Sequence, residues 1–251
     1  MNIMKVALME RLRKKQLYII GGVSFLMIFL LRAGQGNLTI NGKAVSGFDS
    51  MTLVYLSIIH FMSCLLALVL STNTINKEYE RRTSHLIWIR GVLQDNYHGQ
   101  LALANIVSVL IVELFMFLEV LIYFISQDKG NLIPQLLLAY VVMSLSPIFI
   151  STLLTAFSVK LSPFIVGIIG FFVMIFGAFH GVISMISGTI FNHNGGILKM
   201  LLEVMPDLNK NVQTATNLIQ KQTIDTNIVW TMLFAIYISS MGIIFLKRRE
   251  V

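Results

Sequence analysis

The sequence predicts an all-α membrane protein with six transmembrane helices, and three observations carry that expectation. The chain of 251 residues is 56% hydrophobic and only 12% charged, with a mean hydropathy of +0.78. A soluble domain carries about a quarter charged residues. The apolar residues gather into runs near the length of about 20 residues that a helix needs to cross the hydrocarbon core. The basic residues behind the formal net charge of +7 lie at the edges of those runs. That placement fits orientation signals in a bilayer rather than a nucleic-acid surface.

Taken in order, residues 1–16 put Met4, Leu8 and Leu12 at helical spacing among Lys5, Arg11, Arg13, Lys14 and Lys15. This is the pattern of an interfacial amphipathic helix, with a solvated basic leader as the alternative. Residues 17–251 read as the transmembrane domain. Spans are expected at 17–31, 51–72, 100–125, 135–158, 163–187 and 228–246. The first is short and borrows residues from the helix before it. No small-x-small cleavage pattern follows it, so it reads as a retained span rather than a signal peptide. Cys64, the single cysteine, lies inside the second run and reads as a small buried hydrophobe.

With the N-terminus inside, thirteen of the nineteen Lys and Arg residues fall on inner segments, which places both termini in the cytoplasm of a cell membrane. The outer segment 188–227 is unusual. Its start, FNHNGG, is turn chemistry. Residues 197–205 form an apolar stretch too short to span and stopped by Pro206, expected as a re-entrant or interfacial helix. Residues 211–222 read as a polar helix leading back to the membrane.

Four ionisable residues fall within spans: His60, Glu113, Glu119 and His180. Such residues are costly in lipid and mark functional sites by default. Similar depths suggest two hydrogen-bonded pairs, His60 with Glu113 and Glu119 with His180. They would either line a translocation path or satisfy each other between packed helices. Gly177 and Gly181 form a GxxxG pair, expected at a close helix contact within the chain or between two copies. The Met and Phe residues suit an adaptable apolar path or, more simply, a lipid-facing surface. No Walker A loop, HExxH, GxSG or metal-ligand spacing is present, so a non-catalytic chain without its own cofactor is expected.

The one charge-dense inner segment is 73–99, with Lys77, Glu78, Glu80, Arg81, Arg82, Arg90 and Asp95. Thr83 or Ser84 can cap a short helix through 85–90 that ends near Gly91, with Leu86, Ile87 and Ile89 giving it an apolar surface and Trp88 suiting an interface. Asp95 or Asn96 can cap the next helix. A short exposed helix of this kind offers a grip to a cytoplasmic partner.

In its basic amphipathic leader, six spans, substantial first inner loop and helical outer excursion, the chain resembles the permease subunits of ABC-2 type exporters. Glu78 and Thr83 stand where that family often carries an E-x-x-x-G-T-like element, with Arg82 in place of the usual Gly. Arg90-Gly91-Val92 stands where a Pro-containing segment commonly follows. The resemblance implies a permease dimer, of identical or related copies, whose loop 73–99 docks on a separate ABC ATPase. Glu78, Arg81, Arg82, Thr83, Leu86, Trp88 and Arg90 would be the coupling residues, and ATP and Mg would bind the partner. The small size resembles exporters of bacteriocins and amphipathic peptides, which also serve in resistance or immunity. A stand-alone structural membrane protein or a proton-coupled secondary transporter is the competing reading.

Overall fold

The computed structural model describes residues 3–13, 15–33, 39–40, 43–44, 47–80, 91–190 and 205–246. The described chain is almost wholly helical. Its helices are α1 (Ile3–Leu12), α2 (Lys15–Ala33), α3 (Phe48–Thr72), α4 (Thr74–Glu80), α5 (Gln94–Ser126), α6 (Ile133–Ser158), α7 (Pro163–Ala178), α8 (His180–Ile190), α9 (Leu208–Ile219) and α10 (Thr226–Phe245). Between α2 and α3, β1 (Thr39–Ile40) and β2 (Lys43–Ala44) make a two-residue antiparallel ladder.

Among the described residues, four helical segments are long and apolar enough to cross a membrane: Phe48–Glu80, Gln94–Ser126, Gly130–Ser158 and Thr226–Phe245. Two shorter apolar helices, Leu17–Leu30 and Pro163–Ala178, occupy the other expected spans. The first is short because the apolar run itself is short. The second stops because the helix breaks at Phe179. On the outside, Phe115, Phe164, Phe171, Phe172 and Phe234 are exposed. Exposed rings of this kind fit a lipid-facing surface.

The α6 helix lies at the centre, packed against α3, α5, α7, α9 and α10. Its buried residues include Ser144, Ser146, Ser151, Thr152, Thr155 and Ser158. Small side chains let helix backbones approach closely in lipid, where apolar association has little driving force. Hydroxyl pairs add bonds across the contacts: Ser71 to Ser151 at 2.9 Å and Thr152 to Ser239 at 2.7 Å.

Two expectations about local structure change. The apolar stripe of Met4, Leu8 and Leu12 is half-buried against the core, but the N-terminal helix buries a neighbouring row more deeply. Its most buried residues are Ile3, Ala7 and Arg11, one position round the helix, and the first two pack with Ile75, Tyr97, Leu101 and Ala104. So α1 docks on α4 and α5, and Met4 N–H donates to Gln100 Oε1 at 3.1 Å. The start of α5 also differs. It begins at Gln94 after Leu93, without a side-chain cap from Asp95 or Asn96.

The segment after α8 is the larger surprise. Rather than a linker, α9 is buried against α6, α3 and α7. Leu208, Val212, Ala215 and Ile219 face inward. Asn211 donates to Val142 O and Ser146 Oγ, each at 2.8 Å, beside Pro147 in α6. Pro147 frees the carbonyl of Met143, next to Val142, and a mid-helix proline needs close packing from its neighbours to be tolerated in a membrane. Residues 197–204 of the expected re-entrant helix lie outside the described residues. Its last residue, Met205, packs into the core and leads through buried Pro206 and Asp207 into α9.

Candidate functional site

The helices have two ends. One end carries the α5–α6 turn at residues 127–132, the other carries α1 and α4. These are the turn face and the platform face.

The platform is built by bonds between α1, α4 and α5. Tyr97 O–H donates to Glu78 Oε2 at 3.0 Å, and Lys77 Nζ lies 3.7 Å from Glu10 Oε1. Tyr79 meets His98 at 3.3 Å and accepts from Gln94. Deeper in, buried Asn105 donates to Thr74 Oγ1 at 2.8 Å, and Asn76 donates to Leu161 O at 2.9 Å. Half-exposed Glu78 is therefore tied to α5 through one of its oxygens. Arg81, Arg82, Thr83, Leu86, Trp88 and Arg90 lie outside the described residues. The segment resumes at Gly91, whose φ of +74° is a left-handed conformation that glycine adopts without strain.

A second polar centre lies near mid-depth. His60 is twelve residues into α3 from its turn-face end, about 18 Å at the helical rise. Glu113 is thirteen residues from the turn-face end of α5, about 20 Å. Their depths match, as the sequence suggested, but they do not pair. Both oxygens of fully buried Glu113 lack a hydrogen-bond partner among the described residues. It lies near Cys64 of α3 and Tyr140 of α6. His60 Nε2 instead lies 3.8 Å from Cys64 Sγ, and its Nδ1 has no partner. Equal depth did not bring the two groups onto facing surfaces.

The chain itself is interrupted at this level. The α7 helix starts at the platform face, where Gly167 abuts Thr72. After 16 residues, about 24 Å, it ends at Ala178 beside His60. Phe179, with φ −104° and ψ 18°, breaks the helix between Gly177 and Gly181. The α9 helix begins at the same level. Its N-cap Asp207 accepts from Lys210 N–H at 2.9 Å, and Asp207 Oδ2 lies 3.4 Å from His180 Nδ1. The contact found for His180 is thus with Asp207. Glu119 is half-buried on α5 with one oxygen, Oε2, lacking a hydrogen bond. A cavity of about 180 Å³ lies here, lined by His60, Cys64, Ala178, Leu208 and Asn209 among others.

The glycine pair also separates. A Cβ on Gly177 would strike Leu208, so this glycine admits α9. A Cβ on Gly181 would meet nothing within 4 Å. GxxxG spacing does not make one packing face here.

Non-helical backbone at membrane depth persists only where protein covers it or where it lines a polar cavity. Here two helix ends, a His–Asp pair, an unpaired carboxyl and an unpaired imidazole nitrogen share one level of the bundle. Chemically the site offers an unpaired carboxyl and an unpaired imidazole nitrogen, which suit a polar or cationic group. The residues that sequence reasoning missed are Asp207, Tyr97 and Asn105. For Asp207 a signal existed, since Pro206-Asp207 before an amphipathic segment is an N-cap pattern. Among the described residues no group of three or more His, Cys, Asp or Glu side chains could hold a metal. No protein-family model matches the chain, and no curated protein matches it.

Proposed function

We propose that this chain is the membrane permease subunit of an ATP-driven exporter, similar to the ABC-2 type. In this reading the chain crosses the cell membrane six times, with both termini and the platform face in the cytoplasm. A separate ABC ATPase, which binds ATP and Mg, docks on the segment 81–93. A second permease copy completes the path, and the cargo is an amphipathic peptide or similar hydrophobic molecule.

One observation carries the reading. The two helices that bear the mid-depth centre, α3 with His60 and α5 with Glu113, are the same two that flank the segment 81–93 through α4 and Gln94. Their platform ends are tied by Glu78–Tyr97 and Thr74–Asn105. A push on that segment is transmitted as movement of the helices bearing the polar centre, which is the coupling an external motor needs. The interrupted helices at mid-depth add support, because discontinuous helices commonly form transport sites.

The test is co-purification of the chain from its native membrane, then reconstitution with the ATPase that accompanies it. Reversal of both Arg81 and Arg82 to Glu is expected to abolish transport and cargo-stimulated ATP hydrolysis while the permease stays folded. Normal coupling in that variant removes the loop assignment. Amphipathic peptides are expected to stimulate hydrolysis more than lipids or small drugs.

A second reading, proton-coupled secondary transport without an ATPase, is favoured by the unpaired carboxyl of Glu113. It predicts transport by the chain alone in proteoliposomes under a pH gradient, lost in Glu113→Gln. The exporter reading predicts no such transport.

A further inference from the structure

At the elbow between α1 and α2, two cavities of opposite character are lined by neighbouring residues of the chain. The first, about 360 Å³, lies on the platform side between α1, the α3–α4 junction and α5. Its charged lining is Glu10, Arg11, Lys15, Lys77 and Glu78. Lys77 is matched to Glu10, and Glu78 accepts from Tyr97 while also facing Arg11. The five groups sum to one positive charge. Arg11 is only 5% exposed, and its Nη1 has no hydrogen-bond partner among the described residues. Burial pulls the guanidinium down to about 10, against the raising effect of Glu10 and Glu78, so it stays charged at neutral pH. A buried cation with an unmatched donor is a costly arrangement unless something anionic reaches it.

The second cavity, about 540 Å³, is a groove between α2 and α5. Its walls are apolar: Leu17, Tyr18 and Gly22 on one side, Ile111, Phe115 and Leu118 on the other. A Cβ on Gly22 would meet nothing within 4 Å, so the groove is open there. The two cavities adjoin along the chain. Arg11 and Lys15 line the charged one, while Leu12 and Leu17 line the apolar one.

We propose that this elbow binds one anionic phospholipid from the leaflet in which α1 lies, its phosphate against Arg11 and Lys15 and an acyl chain in the α2–α5 groove. The amphipathic match selects a lipid over other anions. A free phosphate would leave the groove unused, and an annular lipid of no fixed charge would leave Arg11 unmatched. The net positive charge of the cavity selects a headgroup with net charge −1, as in phosphatidylglycerol, over a zwitterionic one. The lipid would hold α2 against α5 and fix α1 on the platform. The inference stands apart from the identity of the motor or cargo.

The experiment is native mass spectrometry of the purified full chain, released from micelles doped with equal phosphatidylglycerol and phosphatidylcholine. Wild type is expected to retain one phosphatidylglycerol in preference by about fivefold or more, since each basic residue near a membrane surface contributes ~1 kcal/mol. Arg11→Gln should lose the preference. Lys15→Gln, on an exposed residue with no packing role, should reduce it and guards against misfolding of the Arg11 variant. Gly22→Leu should lower retention of both lipids while leaving the charges in place. Equal retention of the two lipids by wild type, or an unchanged preference in both charge variants, overturns the proposal. So does inorganic phosphate displacing the lipid and raising thermal stability equally in wild type and Gly22→Leu, which would make the cavity a free-anion site.

Discussion

Replacing Gly177 with Ala tests the meeting of α7 and α9 most directly. In the native structure an added Cβ at 177 overlaps the side chain of Leu208, which is itself only 2% exposed. Over-packing of a filled core costs about 1–3 kcal/mol. The better helix propensity of Ala returns up to ~1 kcal/mol, and less so close to the end of α7. The net expectation is a loss of about 1–2 kcal/mol. Gly181→Ala, four residues on, meets open space and gains about 0.5 kcal/mol from reduced chain entropy. The two variants should therefore differ by about 2 kcal/mol, near thirtyfold in the unfolding equilibrium. Reversible unfolding in mixed detergent and dodecyl sulfate micelles measures that difference. A second arm isolates the contact. Placed on Leu208→Ala, the Gly177→Ala change should become almost neutral, a coupling of ~1–2 kcal/mol. If Gly177→Ala is as stable as Gly181→Ala, or the coupling is absent, α9 is not seated on α7 as described.

Further expectations follow from the same structure. Asn211→Ala removes two buried hydrogen bonds to α6 and should lose about 1–2 kcal/mol in the same assay, given 0.6–1 kcal/mol per bond in a membrane; no change would show that α9 does not brace the Pro147 segment. Tyr97→Phe removes the donor to half-exposed Glu78 and should cost ~1 kcal/mol or less, seen as faster hydrogen exchange in α1 and α4. Exchange rates equal to wild type would argue against a rigid platform. Glu113→Gln replaces a buried carboxyl that has no hydrogen-bond partner, so stability should hold or rise while transport falls. A large loss of stability would reveal a partner for that carboxyl. Cys64 is 1% exposed and should react slowly with maleimide in native micelles and fully after denaturation; rapid native labelling would show the mid-depth centre open.

Much of the helical order could be read from hydropathy and spacing, for plain physical reasons. Composition separates this chain from soluble proteins because lipid and water reward opposite surfaces. Run length places the long helices because bilayer thickness and helical rise are both constants. The ends of α3 and α6 fall at Thr72 and Ser158, as the end of each apolar run implied. Depth was legible for the same reason, so His60 and Glu113 were put correctly at one level.

Direction around the helix axis was not legible. A helix that is apolar on all sides carries no stripe to show which face is inward. That is why His60 was matched to Glu113, which shares its depth, when its ring nitrogen meets Cys64 one turn along its own helix. Nor did depth show that His180 meets Asp207, twenty-seven residues further along the chain. The polar helix α9 misled in the opposite way. Its Asn and Thr residues look solvent-bound in a one-dimensional reading, yet Asn211 is buried where α6 offers carbonyl and hydroxyl partners beside Pro147, and Thr214 is buried with its hydroxyl donating to Lys210 O of its own helix. Hydropathy scores a residue against bulk water or bulk lipid. A third environment, a polar seam between helices, exists only once the helices are assembled, and the mid-depth centre lies in that seam.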